Sequence, residues 1–347
     1  MSVNLGPEAL AERTTLRVGG LADEVWVVET EQELLEAVIE SDVDEVPLLV
    51  LGGGSNVVVS DDGFRGRVLL VRSRGIESSA DACGGAIVTV QAGHDWDELV
   101  AESIERRWSG LESLSGIPGT VGATPIQNVG AYGQEVGDWI YRVRAYDRHL
   151  GRIHTFAAAE CGFAYRDSLF KREAGRYVVL DVAFQLRLGE PSAPVMYGEL
   201  ANRLGVEAGK RSTTSAVRAE VLSLRAGKGM VLDPIDHDTW SAGSFFTNPI
   251  VDLPASQSLA ADAPRWQQLD GSVKLSAAWL VEQAGFGKGF TLNGRAALSS
   301  KHALALTNRG DATAEDVMEL ARHIQHGVRE KFGLRLEIEP QLVGEFT

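Results

Sequence analysis

The chain has 347 residues, of which 44% are hydrophobic and 23% charged, so it excludes wholesale disorder and predicts two or three domains. Its formal net charge of −15 disfavours nucleic acid and anionic lipid as partners but leaves a small anionic substrate open. Its two cysteines, Cys83 and Cys161, are too few for a disulfide framework or a thiolate metal cluster.

The sequence predicts a cytoplasmic protein. Residues 1–20 lack an apolar core behind basic residues, so no signal peptide is expected. The longest apolar stretches fall far below the ~18 residues of a membrane span. The low cysteine content suits a reducing compartment.

Helical and strand patterns are mixed along the chain, which indicates an α+β fold. In chain order they predict a helix at 31–41, strands at 46–51, 57–59, 67–71 and 87–92, a helix at 95–107, strands at 140–146, 152–156 and 177–186, helices at 197–204, 214–225, 274–284 and about 314–332, and a last strand at 334–343. Residues 109–137 and 227–249 are irregular and glycine-rich, and long loops of this kind are usually functional.

Two glycine-rich segments are candidates for holding a nucleotide cofactor. Residues 52–56 follow a strand directly, where consecutive N–H groups can point into one concavity that suits phosphate. They lack both standard nucleotide-binding spacings, and a plain tight turn is an equal alternative. Residues 115–133 combine glycines with polar side chains, and glycine allows close approach of the backbone to a ligand. In this segment Gln127, Asn128 and Tyr132 could donate to a polar ring edge.

Three further motifs carry reactive groups. Arg166 lies between an aromatic residue and Asp167, and taken alone it is more simply explained as part of a surface ion pair. Ser244 follows a glycine and precedes two aromatic residues that would exclude water, but no nucleophile-elbow motif is present. Glu337 and Glu339 share one face of the last predicted strand, where an exposed acidic edge is the alternative.

The histidines give no sign of a metal site. His323 and His326 are three residues apart on a predicted helix, but no third ligand is near them in the sequence. A solvated helix face is the better interpretation, and we expect no metal.

Together these segments resemble the UDP-N-acetylenolpyruvoylglucosamine reductase (MurB) family over nearly the whole chain. The segments that carry the resemblance are 14–20, 116–133, 165–168, 242–249, 274–280 and 339–344. Residues 197–200, Tyr-Gly-Glu-Leu, are similar to the tyrosine loop of the type I subgroup, which closes over the substrate.

The resemblance implies an α+β fold that contains the FAD-binding fold of the vanillyl-alcohol-oxidase (PCMH) type. Residues 1–72 and 73–226 would be two FAD-binding subdomains, with 334–347 returning as a strand to the second. Residues 227–333 would form a C-terminal α+β substrate-binding domain.

The resemblance also implies an activity in peptidoglycan precursor synthesis. NADPH, as co-substrate, would reduce a non-covalently bound FAD, which would then reduce UDP-N-acetylglucosamine enolpyruvate to UDP-N-acetylmuramate. The partner would be a UDP-sugar small molecule, with no nucleic acid, no membrane and a monomeric protein. A flavin-dependent oxidase of the same fold and a catalytically silent nucleotide-sugar-binding protein remain alternatives.

Site residues follow from the resemblance residue by residue. Arg166 would stabilise charge on the substrate carboxylate, Ser244 would protonate C2, and Glu339 would act protonated or through a shared proton. The cofactor-binding residues would be Gly52, Gly53, Gly54, Ser55, Asn56, Ser115, Gly116, Ile117, Pro118, Gly119, Gly122, Ala123, Ile126, Gln127, Asn128, Gly130 and Tyr132. The substrate-binding residues would be Tyr197, Lys228, Asn248, Lys274 and Gln283.

Two features are not explained by the resemblance. Residues 228–234 are longer than the compact Lys-x-Pro-Asp-Pro form common in the family, and the following residues 236–238, Asp-His-Asp, have no assigned role. His94 lies in an Ala-Gly-His-Asp context, which gives no reason to make it a covalent flavin linkage.

Overall fold

The computed structural model describes residues 2–81 and 84–346, so Cys83 lies outside the described residues. The strands are β1 Val3–Asn4, β2 Glu8–Ala9, β3 Leu21–Val28, β4 Leu48–Leu51, β5 Val57–Val59, β6 Phe64–Val71, β7 Ile76–Asp81, β8 Gly85–Gln91, β9 Trp108–Ser109, β10 Gly130–Ala131, β11 Gln134–Glu135, β12 Ile140–Asp147, β13 Arg152–Ala157, β14 Tyr177–Leu188, β15 Ile250–Val251, β16 Arg265–Gln267, β17 Val273–Leu275, β18 Ala296–Leu298, β19 Leu306–Asn308 and β20 Gln341–Val343. The helices are α1 Glu31–Val43, α2 Trp96–Glu105, α3 Leu169–Arg172, α4 Gly198–Leu204, α5 Thr214–Gly227, α6 Leu253–Gln257, α7 Ala277–Gln283 and α8 Ala314–Phe332.

The first compact unit consists of Met1–Glu8, Ala22–Gly53 and Arg65–Gly227. One of its sheets has the strand order β1-β3-β6-β4, with β2 also pairing with β3. Another has the order β13-β12-β14-β8-β7, with β9 also pairing with β14. Strand β4 runs parallel to β6 with Leu51 opposite Leu70, so the chain leaves the carboxyl end of β4 directly into the first glycine-rich segment.

The core of this unit forms around the central strand β14, which pairs antiparallel with β12 and β8. Most of β14 is buried because it lies inside the sheet, and Phe184 on this strand contacts the fully buried Trp96 of α2 with ring centroids 5.9 Å apart. The predicted starts of α1 and α2 are confirmed, since Thr30 and Asp95 each accept the backbone N–H three residues later. Helices α4 and α5 confirm the predicted helices at 197–204 and 214–225.

The second compact unit consists of Ala9–Leu21, Gly54–Phe64 and Lys228–Thr347. Its longest helix, α8, confirms the predicted helix at about 314–332 and begins with a cap: Thr313 and Asp316 exchange side-chain and backbone hydrogen bonds at 3.1 and 2.9 Å. The inner face of α8 is buried in a core that also contains Phe245 and Phe246. Strands β18 and β19 form an antiparallel hairpin, and β15, β17 and β16 form a small sheet.

Two predictions about this unit are wrong. The predicted strand 334–343 is reduced to β20, which pairs parallel with β5. The predicted helix 274–284 is strand β17, then a Ser276 cap, then the shorter α7.

Within residues 2–81 and 84–346, none of the helices combines the length and the hydropathy that crossing a bilayer requires.

Candidate active site

The two predicted cofactor segments contact each other in the first unit. A Cβ on Gly52 would overlap the Oγ1 atom of Thr120, and a Cβ on Gly53 would lie 2.6 Å from the Cα of Gly119. The carbonyl of Gly52 is also fixed by a 3.0 Å hydrogen bond from Arg72. Only glycine permits this close approach, so the turn after β4 packs directly against the loop at 119–120.

Several amides in the second segment already donate within the protein. The N–H of Gly116 donates to Asp97 at 2.6 Å, and the N–H of Gly122 donates to the carbonyl of Ala92 at 2.8 Å. The N–H of Ser115 also has a backbone acceptor, at 3.3 Å. The place of Ser115, Gly116 and Gly122 in the cofactor site stays a prediction, but their amides have acceptors within the protein. They shape the turn, and Gly122 is required because a Cβ there would lie 2.6 Å from the Cβ of Ala92.

Asp97 anchors this turn from helix α2. It accepts hydrogen bonds from both terminal nitrogens of Arg218 at 2.6 and 2.8 Å, in addition to the Gly116 amide. Burial raises the pKa of Asp97, but the hydrogen bonds from Arg218 and Gly116 outweigh this and leave the pKa below its ordinary value. The carboxylate therefore stays ionised while it holds the start of the segment.

The side chain of Asn128 is hydrogen-bonded within the protein. It is buried with a left-handed φ of 48°, and its amide nitrogen donates to Glu135 at 2.6 Å and to the carbonyl of Ala164 at 3.0 Å. Its amide oxygen accepts from the N–H of Gly137 at 2.9 Å. These bonds fix the loop, and the role of Asn128 at a ring edge stays a prediction. Nearby, Ile126 is 39% exposed although it is apolar.

Arg166 is brought to the predicted cofactor segment. It lies in a tight turn closed by paired backbone bonds between Ala164 and Asp167, and it adopts a left-handed φ of 53°. One terminal nitrogen of its guanidinium donates to the carbonyl of Gly130 at 2.7 Å. Asp167 pairs with Arg172. The guanidinium is thus directed along residues 128–130.

Tyr197 also lies at this segment. It immediately precedes α4, is 39% exposed, and contacts the ring of Tyr132 edge-on with centroids 5.4 Å apart. The structure therefore brings together a predicted substrate residue and a predicted cofactor residue of the first unit.

In the second unit, Glu339 is bonded to the residue that follows Ser244, although the two segments are far apart in the sequence. The N–H of Glu339 donates to the carbonyl of Phe245 at 2.9 Å, and Ile338 forms a β-bridge with Phe246. Phe245 and Phe246 are fully buried and anchor this pairing in the core. Ser244 and Glu339 are both half-buried, so each lies at the boundary between the core and the surface.

Glu337 and Glu339 differ in environment, contrary to the shared strand face that was predicted. The side chain of Glu337 is 66% exposed and pairs with Arg335 at 3.4 Å. The segment is not a regular strand at these positions: two backbone hydrogen bonds and an isolated β-bridge join it to residues 245–247.

The other predicted substrate residues of this unit lie around β17 and α7. The side-chain oxygen of Asn248 accepts the N–H of Ala277 at 2.9 Å and so holds the start of α7. Lys274 is in β17, opposite Ile250 of β15. Gln283 is exposed at the far end of α7, about 9 Å along the helix axis from its first residue, so the structure does not group it with Asn248. Lys228 is half-buried at the start of the unit.

Three further predicted cofactor residues lie in the second unit, not in the first. Gly54, Ser55 and Asn56 belong to the second unit, where Gly54 has a left-handed φ of 62° and accepts a backbone bond from Thr15 at 3.0 Å. The carbonyl of Asn56 accepts the N–H of Gln341 at the start of β20.

Sequence reasoning missed His302. Its Nε2 atom lies 3.3 Å from the Oγ atom of Ser244, a contact between residues 58 positions apart. Nothing in the local sequence distinguishes His302 from the other histidines. Among the described residues, no group of three or more His, Cys, Asp or Glu side chains is arranged to hold a metal ion, and His326 bonds to Glu330 at 3.2 Å.

Comparison with known proteins defines the class and then the family. Residues 22–157 match the family model described as FAD binding domain, and residues 233–343 match the one described as UDP-N-acetylenolpyruvoylglucosamine reductase, C-terminal domain. A solved UDP-N-acetylenolpyruvylglucosamine reductase (MurB) from Thermus caldophilus is similar over 99% of this chain and 100% of that chain, with a TM-score of 0.67 and 30% identity. The fold is thus the expected α+β fold with an FAD-binding domain, and the class is the FAD-dependent oxidoreductases.

Two relatives are more similar in sequence to this chain than the Thermus caldophilus protein is. The UDP-N-acetylenolpyruvoylglucosamine reductase of Cutibacterium acnes is 55% identical, covering 96% of this chain and 89% of that protein. The protein of the same name from Saccharopolyspora erythraea is 51% identical, covering 97% of this chain and 95% of that protein. The chain belongs to the UDP-N-acetylenolpyruvoylglucosamine reductase family.

Proposed function

We propose that Arg166, Ser244 and Glu339 carry the charge stabilisation and proton transfer of the reaction. The chain is an FAD-dependent oxidoreductase that uses NADPH to reduce UDP-N-acetylglucosamine enolpyruvate to UDP-N-acetylmuramate, a step of peptidoglycan precursor synthesis. The observation that supports the residue assignment most directly is the 2.9 Å backbone bond from Glu339 to Phe245, because it joins this carboxyl-bearing residue to the neighbour of Ser244.

The residues of the first unit fit an FAD. The bare backbone at Gly52–Gly53 and at Gly119 suits the diphosphate, because amides without side chains can approach it closely. The exposed Ile126 and the neighbouring Gly130 and Tyr132 suit the apolar face and polar edge of the ring system. When bound, FAD accepts a hydride from NADPH and supplies a hydride to the substrate alkene.

We further propose that the FAD is held without a covalent bond. Burial raises the pKa of the Cys161 thiol to about 12, so this side chain is not a thiolate nucleophile at neutral pH. Both ring nitrogens of His94 are buried away from solvent. Cys83 lies outside the described residues.

Arg166 is assigned to the carboxylate of the enolpyruvyl group. Reduction of the alkene leaves negative charge on C2, and this charge spreads into the carboxylate. A guanidinium is always charged and can bind a carboxylate through two parallel hydrogen bonds. The bond to the Gly130 carbonyl fixes the guanidinium in advance, so little reorganisation is needed as the charge develops.

Ser244 is assigned as the proton donor to C2. A hydroxyl is a weak acid, but the carbanion is a strong base, so a donor held in position is sufficient. The two residues that follow Ser244, Phe245 and Phe246, are buried, which suits a site that excludes water. Glu339 assists protonated or through a shared proton, because an ionised carboxylate would oppose the negative charge of the intermediate.

Recognition of the UDP-sugar is assigned to cationic and amide side chains. Lys228, Asn248 and Tyr197 suit the diphosphate and sugar, while Lys274 and Gln283 are weaker candidates. Gln283 is supported least, because it is at the opposite end of α7 from Asn248.

The domain boundaries, the cellular location, the oligomeric state and the macromolecular partners are also proposals. A change at 72/73 is supported by β6 and β7 belonging to different sheets, and a change at 226/227 by the start of the second unit's long segment at Lys228. We propose a cytoplasmic monomer. We propose no nucleic acid or membrane partner, since the net charge of −15 disfavours binding to nucleic acid and to anionic lipid.

The test separates the two halves of the reaction with Ser244→Ala. Reduction of the enzyme by NADPH should be nearly unchanged, because the serine has no part in that step. Reoxidation by the enolpyruvyl substrate should slow by ~10²–10⁴-fold, the usual contribution of a general acid. Stopped-flow flavin absorbance measures both rates, and equal damage to both would reject Ser244 as the proton donor.

A further inference from the structure

We propose that His302 is a positioning residue that holds the hydroxyl of Ser244 and makes it a stronger acid. Its Nε2 atom lies 3.3 Å from the Ser244 Oγ atom, and both side chains are half-buried in the second unit. This proposal rests on the assignment of Ser244 as the proton donor. The distance is at the long end of the hydrogen-bond range, as is common in sites that tighten when the substrate binds.

The backbone fixes His302 from one side. His302 lies in the loop that joins β18 to β19, and this loop is closed by a 2.8 Å bond from the N–H of Ser299 to the carbonyl of Ala305. Two residues after His302, the carbonyl of Leu304 accepts the N–H of Phe245 at 2.7 Å. The loop that carries the histidine is therefore bonded to the residue that follows Ser244.

The longer segment before Trp240 fixes His302 from the other side. Asp238 accepts both the N–H of Ser300 at 2.9 Å and its hydroxyl at 2.5 Å. Asp236 forms an ion pair with Lys301 at 2.5 Å. The two residues that immediately precede His302 are thus each tied to one aspartate, which gives the Asp-His-Asp segment a role in aiming the histidine.

The chemistry of this contact follows from the proton balance. When Ser244 protonates C2, its O–H bond breaks, the new C–H bond forms, and the electron pair stays on the oxygen as an alkoxide. A proton on Nε2 of His302 would donate to that oxygen and stabilise its charge, so the serine would release its proton more readily. Solvent water returns the proton to the serine after the product leaves.

The experiment compares His302→Asn with His302→Gln in the full chain loaded with FAD. The two amides are alike in polarity, but only glutamine places its nitrogen at about the position of Nε2. We expect His302→Asn to slow reoxidation by the enolpyruvyl substrate by roughly 10²-fold, the effect of removing one donor to a developing oxyanion. His302→Gln should stay within a few-fold of the parent enzyme, and reduction by NADPH should be unchanged in both. Equal rates of reoxidation for the two variants would overturn the proposal.

A double variant of His302 and Ser244 shows whether His302 acts through Ser244. In a Ser244→Ala background, His302→Asn should add no further loss, because the hydroxyl that it holds is absent. The same fold-loss in both backgrounds would mean a general structural role and would overturn the proposal. If Ser244→Ala alone leaves reoxidation intact, it is the assignment of Ser244 that fails. His326→Asn, on the exposed face of α8, is the matched control and should change neither rate.

Discussion

At the scale of single residues, two glutamates separated by one position have different surroundings. Glu339 is half-buried and joined to Phe245 through its backbone, whereas Glu337 is exposed and paired with Arg335. Both are carboxylates in the same segment, so their chemistry is the same and only position separates them. This pair provides an internal control for the role of Glu339.

We predict that Glu339→Gln slows reoxidation of the reduced enzyme by at least ~10²-fold, because the amide can neither release nor share a proton. Reduction by NADPH and FAD content should be preserved. Glu337→Gln should be close to neutral, since an exposed surface substitution changes stability by under ~0.5 kcal/mol. Rapid-mixing kinetics on both variants decide the matter, and the role of Glu339 is rejected if they behave alike.

A glycine in the turn after β4 gives a second residue-scale prediction. In Gly53→Ala the new Cβ would lie 2.6 Å from the Cα of Gly119, so one backbone must move, at a cost of about 1–3 kcal/mol. We expect the purified variant to retain less FAD than the parent protein. Gly287→Ala, where a Cβ meets nothing within 4 Å, should retain FAD normally. Full FAD content in Gly53→Ala would remove this turn from the cofactor site.

At the scale of elements, the segment before Trp240 is held to the loop after β18 by Asp238. This carboxylate is buried, accepts two bonds from Ser300 and pairs with Arg309 at 2.9 Å. Burial raises its pKa, but the bonds from Ser300 and the charge of Arg309 outweigh this and leave the pKa below the ordinary value. The stability it contributes is therefore fully present above the ordinary carboxyl pKa of about 4 and is lost as the pH falls through the lower folded-state pKa.

We predict that Asp238→Asn lowers the thermal unfolding midpoint at pH 7, because the new amide cannot accept all the bonds that the carboxylate accepts, at a cost of about 1–3 kcal/mol. The difference from the parent protein should shrink as the pH falls below about 4, where the parent loses the same charge. Calorimetry across this pH range measures it, with the exposed Asp262→Asn as control. A difference that stays constant down to acid pH would contradict the ionised role of Asp238.

Elements with local start signals could be predicted from sequence, and elements that depend on distant partners could not. Thr30, Asp95 and Thr313 mark helix starts because each caps a backbone amide three residues away. Strand β17 was predicted as helix because its pairing with β15 and β16 is decided outside the local pattern. The contact of His302 with Ser244 spans 58 positions and has no local signature, so it required the folded structure.

At the scale of the whole molecule, the sequence order and the compact units do not coincide. Residues 9–21 and 54–64 belong to the second unit, because Leu16 and Val58 join its core and β5 pairs with the last strand, β20. The predicted subdomain 1–72 is a continuous range. It could not show that residues 9–21 and 54–64 join the second unit, because this depends on contacts with residues near the carboxyl end. The motifs were nevertheless sufficient for the family, because their order and spacing do not depend on which unit holds each one.

The central claim is that this chain uses a bound FAD to pass reducing equivalents from NADPH to an enolpyruvyl UDP-sugar. The direct measurement is flavin absorbance under anaerobic conditions, first with NADPH and then with UDP-N-acetylglucosamine enolpyruvate. We predict that the flavin bleaches on the first addition and regains its colour on the second, with UDP-N-acetylmuramate formed in equal amount. A flavin that bleaches but recovers its colour only when oxygen is admitted would indicate an oxidase, and a protein that binds the UDP-sugar without bleaching would indicate a silent binding protein; either result would contradict the account.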